Sequence, residues 1–184
     1  PYVFDVTDFY PLLKNSATTR IHYSGYSGGF TADVKFEFIE GVPDRNVTGV
    51  EKLYDGSYTY GDAGNPINSH FPTLTKTAPA GTESASLKFL VTGHGSDANG
   101  CCEFASHAYD VNLNSTAVAH KDIWRDDCGL NDLYPQGGTW IYDRGGWCLG
   151  AMVRPNYHDL PNITGGNSYD VNIQFSNYAI DTPG

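Results

Sequence analysis

Residues 169–176 read Tyr169-Asp170-Val171-Asn172-Ile173-Gln174-Phe175-Ser176. Tyr169, Val171, Ile173 and Phe175 share one parity, and Asp170, Asn172, Gln174 and Ser176 the other. Successive side chains of an extended chain point to opposite faces. A period of two with one polar face therefore predicts an antiparallel strand lying over an apolar core. The same alternation runs through Ala32-Asp33-Val34-Lys35-Phe36-Glu37-Phe38, through Leu87, Phe89 and Val91, and through Tyr109, Val111 and Leu113. Turn-rich spans at 54–66 and 78–84 separate these runs. The one helical pattern is Thr7 to Leu13, where Thr7 is expected to N-cap a short turn. An all-β, jelly-roll-like antiparallel sandwich follows, with no internal repeat.

Composition agrees with this class and narrows the function. Thirteen tyrosines, 21 glycines and 10 prolines in 184 residues favour short strands joined by turns. A net charge of −10 offers no basic stripe to phosphates, which argues against nucleic acid as a partner. No run of 18 apolar residues is present to span a membrane. The opening Pro1-Tyr2-Val3-Phe4 has no initiator Met and no signal-peptide pattern, so a mature or proteolytically processed product is expected. Four cysteines in an acidic, glycine-rich chain point to an oxidising, secreted setting, as do sequons at Asn46, Asn114 and Asn162. A composition change near residues 43–50 marks the expected domain junction.

The stretch Trp124 to Gly150 has no strand or helix period, yet it holds three tryptophans and two cysteines amid repeated glycines. A long ordered loop of this kind inside a compact domain is usually functional. Cys128 and Cys148 are expected to close it. Cys101 and Cys102 either bridge each other or leave one thiol for another chain.

Several groups carry possible chemistry. Glu103 follows Gly100-Cys101-Cys102 and precedes Phe104; an acid at the start of a strand, between glycine turns and an aromatic, suits proton transfer, although a surface glutamate at a strand end reads the same. Asp143-Arg144-Gly145-Gly146-Trp147 sets a guanidinium beside an indole. That pair suits a sugar or carboxylate by stacking and paired hydrogen bonds, and equally an arginine that ties loop carbonyls together. Trp140 lies on the same loop, and His94, between two glycines, is a further candidate for the ligand site; His94 and His107 could face one site, but two histidines without a fixed third ligand make no metal centre. His120, Asp122, Asp126 and Asp127 look metal-like by composition but match no metal motif, so a solvated acidic turn is expected and no metal site.

These residues resemble the peptide-N-glycosidase F family, whose members remove N-glycans from asparagine and consist of two side-by-side eight-stranded jelly rolls, an architecture shared with peptidylglycine hydroxylating monooxygenase. Phe4-Asp5-Val6-Thr7-Asp8-Phe9 with Leu12-Leu13 looks like a late segment of the first family domain, and 41–44 like its end. Gly100-Cys101 with Glu103-Phe104, Cys128-Gly129, and above all Asp143-Arg144 with Gly146-Trp147-Cys148 look like the second. The resemblance implies one complete jelly roll over 49–184 and only the last strands of a preceding one over 1–48, which need a partner chain, such as the other part of a cleaved precursor. It places Glu103 on an active-site acid, Arg144 on an arginine of the glycan cleft and Trp147 on its neighbour. It also places Cys128 and Cys148 on a family disulfide.

The departures matter as much. Ser24 stands where a second acid is expected, Tyr26 where an aromatic is expected, and Ala105 where a cysteine is expected. The family's essential aspartate belongs upstream of this chain. The expectation is a secreted ligand-binding chain with a degraded catalytic site. It would require no cofactor and would bind a glycan or an elongated apolar ligand, such as a lipid or carotenoid, together with the partner chain. The alternative is an N-glycan amidase whose missing aspartate lies on the partner.

Overall fold

The computed structural model describes residues 2–22, 31–131 and 137–180, which fall into two units, Pro1–Glu51 and Lys52–Gly184. Strands occupy the second: β1 (Leu74–Thr77), β2 (Ala85–Phe89), β3 (His107–Leu113), β4 (Thr116–Ile123), β5 (Asn156–Leu160) and β6 (Ser168–Phe175). They form a four-stranded antiparallel sheet in the order β1-β6-β3-β4 and a two-stranded antiparallel sheet of β2 and β5. The result is an all-β, jelly-roll-like sandwich.

The alternation in residues 169–176 does what its period requires. On β6, Val171, Ile173 and Phe175 are buried, while Gln174 is exposed. The strand lies between β1 and β3, with Val171 opposite Leu74 and Ile173 opposite Val111. Tyr109, Val111 and Leu113 of β3 face the same core, which Leu87 of β2 and Leu160 of β5 close from the other sheet. Burying each such aliphatic side chain is worth about 1.5–3 kcal/mol, so this layer dominates the unit's stability. One polar pair crosses it. The Tyr109 hydroxyl and His158 Nε2 lie 2.8 Å apart and satisfy each other in an otherwise apolar interior.

The first unit departs from expectation. Thr7 is the first residue of a 3₁₀ turn, Thr7–Phe9, that runs into one α-helical turn, Tyr10–Leu13. Thr7 does not cap it: the N-cap position is Val6, with no side-chain cap, and the Asp5 carboxylate accepts from Thr7 N at 2.9 Å and Thr7 Oγ1 at 2.6 Å. Arg45 reaches Asp8 with two hydrogen bonds, 2.8 and 2.5 Å. Residues 31–40 form no strand, despite their alternation. A strand exists only when a neighbour completes its ladder, and sequence period says which face needs cover, not whether cover is present. Phe36 and Phe38 are accordingly 44% and 79% exposed.

A second correction concerns the acidic group. His120 and Asp122 lie on strand β4 rather than on a turn, and His120 Nδ1 sits 2.7 Å from Asp110 on the neighbouring strand. No helix among the described residues is long and apolar enough to cross a membrane.

Candidate functional site

The glycine- and tryptophan-rich loop is hung from the end of β4. Arg125, two residues beyond that strand, pairs with Arg144 through two backbone hydrogen bonds of 2.7 and 3.0 Å. Cys128 and Cys148, 0% and 2% exposed, are disulfide-bonded with their Cα atoms 5.2 Å apart. The Arg125 side chain clamps Asp127 with hydrogen bonds of 2.8 and 2.9 Å, and Arg154 adds a third contact at 2.9 Å. The hydrogen bonds from Arg125, with the charges of Arg125 and Arg154 behind them, hold the Asp127 carboxyl below the usual carboxylate range. Among the described residues, no three metal-ligating side chains converge.

A second segment, 93–103, is laid against this loop by backbone bonds. Gly93 N donates to Gly145 O and Gly145 N to Glu103 O, both at 2.8 Å, while Cys102 N and Glu103 N converge on Gly95 O. The chains approach so closely that a β-carbon at Gly93 or Gly145 would collide with the Cys102 carbonyl, which is why both positions are glycine. Cys101 and Cys102 are paired with each other, one of the two arrangements expected of them. Glu103 sits in a turn, four residues before β3, not at a strand start as the sequence led us to expect.

This framework brings four of the expected site residues together. Arg144, 1% exposed, donates from Nη1 to Glu103 Oε1 at 2.8 Å and from Nη2 to the carbonyl and hydroxyl of Thr139 at 2.6 and 2.7 Å. Its guanidinium lies 4.8 Å from the Phe104 ring centre and 5.0 Å from that of Trp147. Trp147 Nε1 donates to Gly93 O at 2.8 Å, and the His94 ring tilts over the indole at 4.8 Å. His94 is exposed and contacts Thr92 Oγ1 at 2.9 Å.

Arg144 is buried behind its partners, where it ties the Thr139 carbonyl and holds the Glu103 carboxylate. The accessible elements are Glu103, whose side chain is 21% exposed and whose Oε2 faces Gly95 N at 3.4 Å, and the His94–Trp147 pair. A carboxylate oxygen next to aromatic surface can accept hydrogen bonds from hydroxyl or amide groups while a ring stacks beside it.

Trp140 is half-buried in the turn following Thr139. Tyr26 and Ser24 lie outside the described residues. His107 is turned to Tyr60 and Tyr178, with ring centres 4.9 and 5.0 Å away, and its Nε2 is 3.0 Å from Gly100 O. Sequence reasoning missed Thr139, which fixes the arginine. A threonine between Gly138 and Trp140 carries no local signal of that contact.

A family model described as "Peptide-N-glycosidase F, C terminal" matches residues 66–182. Among solved structures, recombinant peptide N-glycanase F (PNGase F) is 25% identical, with a TM-score of 0.57 over 66% of this chain and 40% of that one. PNGase F, a glycosylasparaginase from Flavobacterium meningosepticum, is 24% identical, with a TM-score of 0.54 over 70% of this chain and 40% of that one. A peptide-N(4)-(N-acetyl-β-D-glucosaminyl)asparagine amidase is 23% identical, with a TM-score of 0.54 over 70% and 41%. The chain thus spans about two-fifths of the length of these structures. No curated protein sequence matches it.

Proposed function

This chain belongs to the family defined by the C-terminal domain of peptide-N-glycosidase F, and from that premise we propose that it is a secreted saccharide-binding chain with a degraded catalytic site. Its ligand is a glycan carrying an N-acetylglucosaminyl group. The observation that carries this reading is the Glu103–Arg144 pair: a buried cation that lies by Trp147 holds one carboxylate oxygen, Gly95 N faces the other at 3.4 Å, and the glutamate side chain stays 21% exposed. Saccharides are bound by that combination, with hydroxyl and amide donors meeting the carboxylate and the sugar's apolar face meeting the rings.

Binding is favoured over turnover on chemical grounds. Hydrolysis of a glycosylated amide needs a group that activates water and another that stabilises the departing amine. The family resemblance puts Ser24 where one of these acids is expected, so Glu103 stands without that companion. The partner chain is part of the same proposal. Val34, Phe36 and Phe38 present an apolar period-two face with no ladder of its own, and a strand from a second chain that completes the first jelly roll would cover it. The second reading, an N-glycan amidase with the missing aspartate on the partner, draws support from the retained Glu103.

Titration with N-acetylglucosaminyl-asparagine, followed through tryptophan fluorescence, tests the reading. Saturable quenching or enhancement is expected in the wild type, and His94→Ala should bind about two- to tenfold more weakly, the worth of one ring contact. A flat titration of folded protein contradicts the proposal.

A further inference from the structure

The unit Lys52–Gly184 contains a cleft of about 830 Å³ that reaches His94 of the saccharide site at one end and extends away from it along residues 54–60. Residues 54–60 form one wall and residues 88–97 the other. Its volume lies within the range of about 300–1,000 Å³ usual for small-molecule sites. Phe71, Ile123 and Phe175, each under 9% exposed, line it from the sandwich core, so core aromatic and aliphatic surface is part of the cleft. We propose that this cleft binds an elongated, uncharged apolar small molecule.

The wall tyrosines decide the class of occupant. Tyr54 donates its hydroxyl to Pro72 O at 2.9 Å, Tyr58 to Asp55 O at 2.9 Å, and Tyr60 to Ser176 O at 2.5 Å. With those donors engaged by backbone carbonyls, the tyrosines offer ring surface instead of hydrogen bonds. A sugar or a peptide placed against these rings would gain no hydrogen bond from the three hydroxyl donors. A hydrocarbon body loses nothing and gains aromatic contact. The wall is also braced: Tyr58 stacks on His70 with ring centres 4.0 Å apart and planes 17° from parallel, and Tyr60 stacks on Tyr178 at 5.0 Å and 17°. Ordered rings of this kind need little reorganisation on binding. Lys88, the cation of the second wall, lies over the Tyr157 ring at 5.6 Å, and Asp97 lines the same wall. With a net charge of −10 around it, the cleft disfavours an anion such as a fatty carboxylate.

The test titrates the whole chain with the uncharged fluorophore N-phenyl-1-naphthylamine. The expected result is saturation at one probe per chain with blue-shifted emission. 1-Decanol should displace the probe at concentrations about fifteenfold lower than 1-octanol, because each of the two further buried methylenes is worth about a fourfold change in affinity. Thr59→Trp, which adds an indole at an exposed position on the cleft, should weaken binding at least tenfold with an unchanged far-ultraviolet spectrum and unfolding midpoint. Tyr58→Ala, which removes one wall ring, should weaken it about threefold or more. Absence of saturable binding overturns the proposal. So does wild-type affinity in either folded variant.

Discussion

Arg144 donates to Glu103 at 2.8 Å across 41 residues of sequence, and the two partners are unequally hidden, with the Arg144 side chain 1% exposed and that of Glu103 21% exposed. The asymmetry assigns their parts. The arginine holds the 93–103 segment to the tryptophan-rich loop, and the glutamate is the member that a ligand can reach. Removing either leaves a different defect. Arg144→Ala strips a carboxylate of its counter-ion and opens a void between Phe104 and Trp147. Glu103→Gln leaves a neutral acceptor in place.

Arg144→Ala should therefore cost about 2–4 kcal/mol of folding stability, below the full cost of breaking a buried pair because Glu103 keeps partial access to water. Glu103→Gln should cost about half as much or less. Urea unfolding of the two variants checks the ranking, and equal losses would show that Arg144 contributes only its charge.

Reducing or replacing the loop disulfide has a different signature. Cys148→Ser opens a crosslink of sequence separation 20 whose two sulfurs are buried. A loss of about 3 kcal/mol is expected from the chain-entropy relation. Non-reducing peptide mapping should recover Cys128 and Cys148 in one linked fragment, and thermal unfolding of Cys148→Ser should show the lowered midpoint.

The buried Tyr109–His158 pair predicts how stability varies with pH. Burial, with a smaller contribution from the charge of Lys121, pushes the His158 imidazole below its ordinary value of 6.5. The folded state then binds fewer protons than the unfolded state in the window just below pH 6.5. Stability is full above that value and falls as pH drops through it towards the depressed folded value. At the other end, burial pushes the Tyr109 hydroxyl from 10.0 up to about 12, so the unfolded chain loses its proton first and stability declines between those two values. Urea unfolding from pH 5 to 8 should show the acid-side slope, and His158→Gln should flatten it.

Exposed apolar residues in the unit Pro1–Glu51 predict association. Phe38 and Ile39 are 79% and 89% exposed, and such surface tends to be covered by a partner or another copy. Sedimentation at micromolar concentration should show self-association of the isolated chain, and Phe36→Asp with Phe38→Asp should reduce it. A wild-type chain that sediments only as a monomer contradicts this.

Much of the second unit was legible in sequence because period-two burial is local. Residues 107–113 and 168–175 declared their inward faces before any contact was known. Strand β5 did not, since Asn156-Tyr157-His158-Asp159-Leu160 turns a histidine inward, a choice that makes sense only opposite Tyr109. The β3–β4 hairpin was hidden as well. Its turn, Asn114-Ser115, takes left-handed backbone at φ 49° and 64° without a glycine to announce it, steadied by the Asn114 side chain accepting from Asp170 N. At the site, the motif residues Glu103, Arg144 and Trp147 were readable, whereas the burial of Arg144 and the part played by Thr139 depend on how two distant loops meet. In residues 31–40 the alternation was real but its partner strand was not in evidence, which is why a strand was expected there and none formed.

The central claim is that the Glu103–Arg144–Trp147 cluster holds a glycan without cleaving it. Incubating the chain with an N-glycosylated peptide and recording the mixture by native mass spectrometry tests both halves at once. The account predicts a complex between chain and intact glycopeptide that is retained in Glu103→Gln and weakened in His94→Ala, with no released glycan. Release of the glycan by the wild-type chain, abolished in Glu103→Gln, would contradict it and establish the amidase.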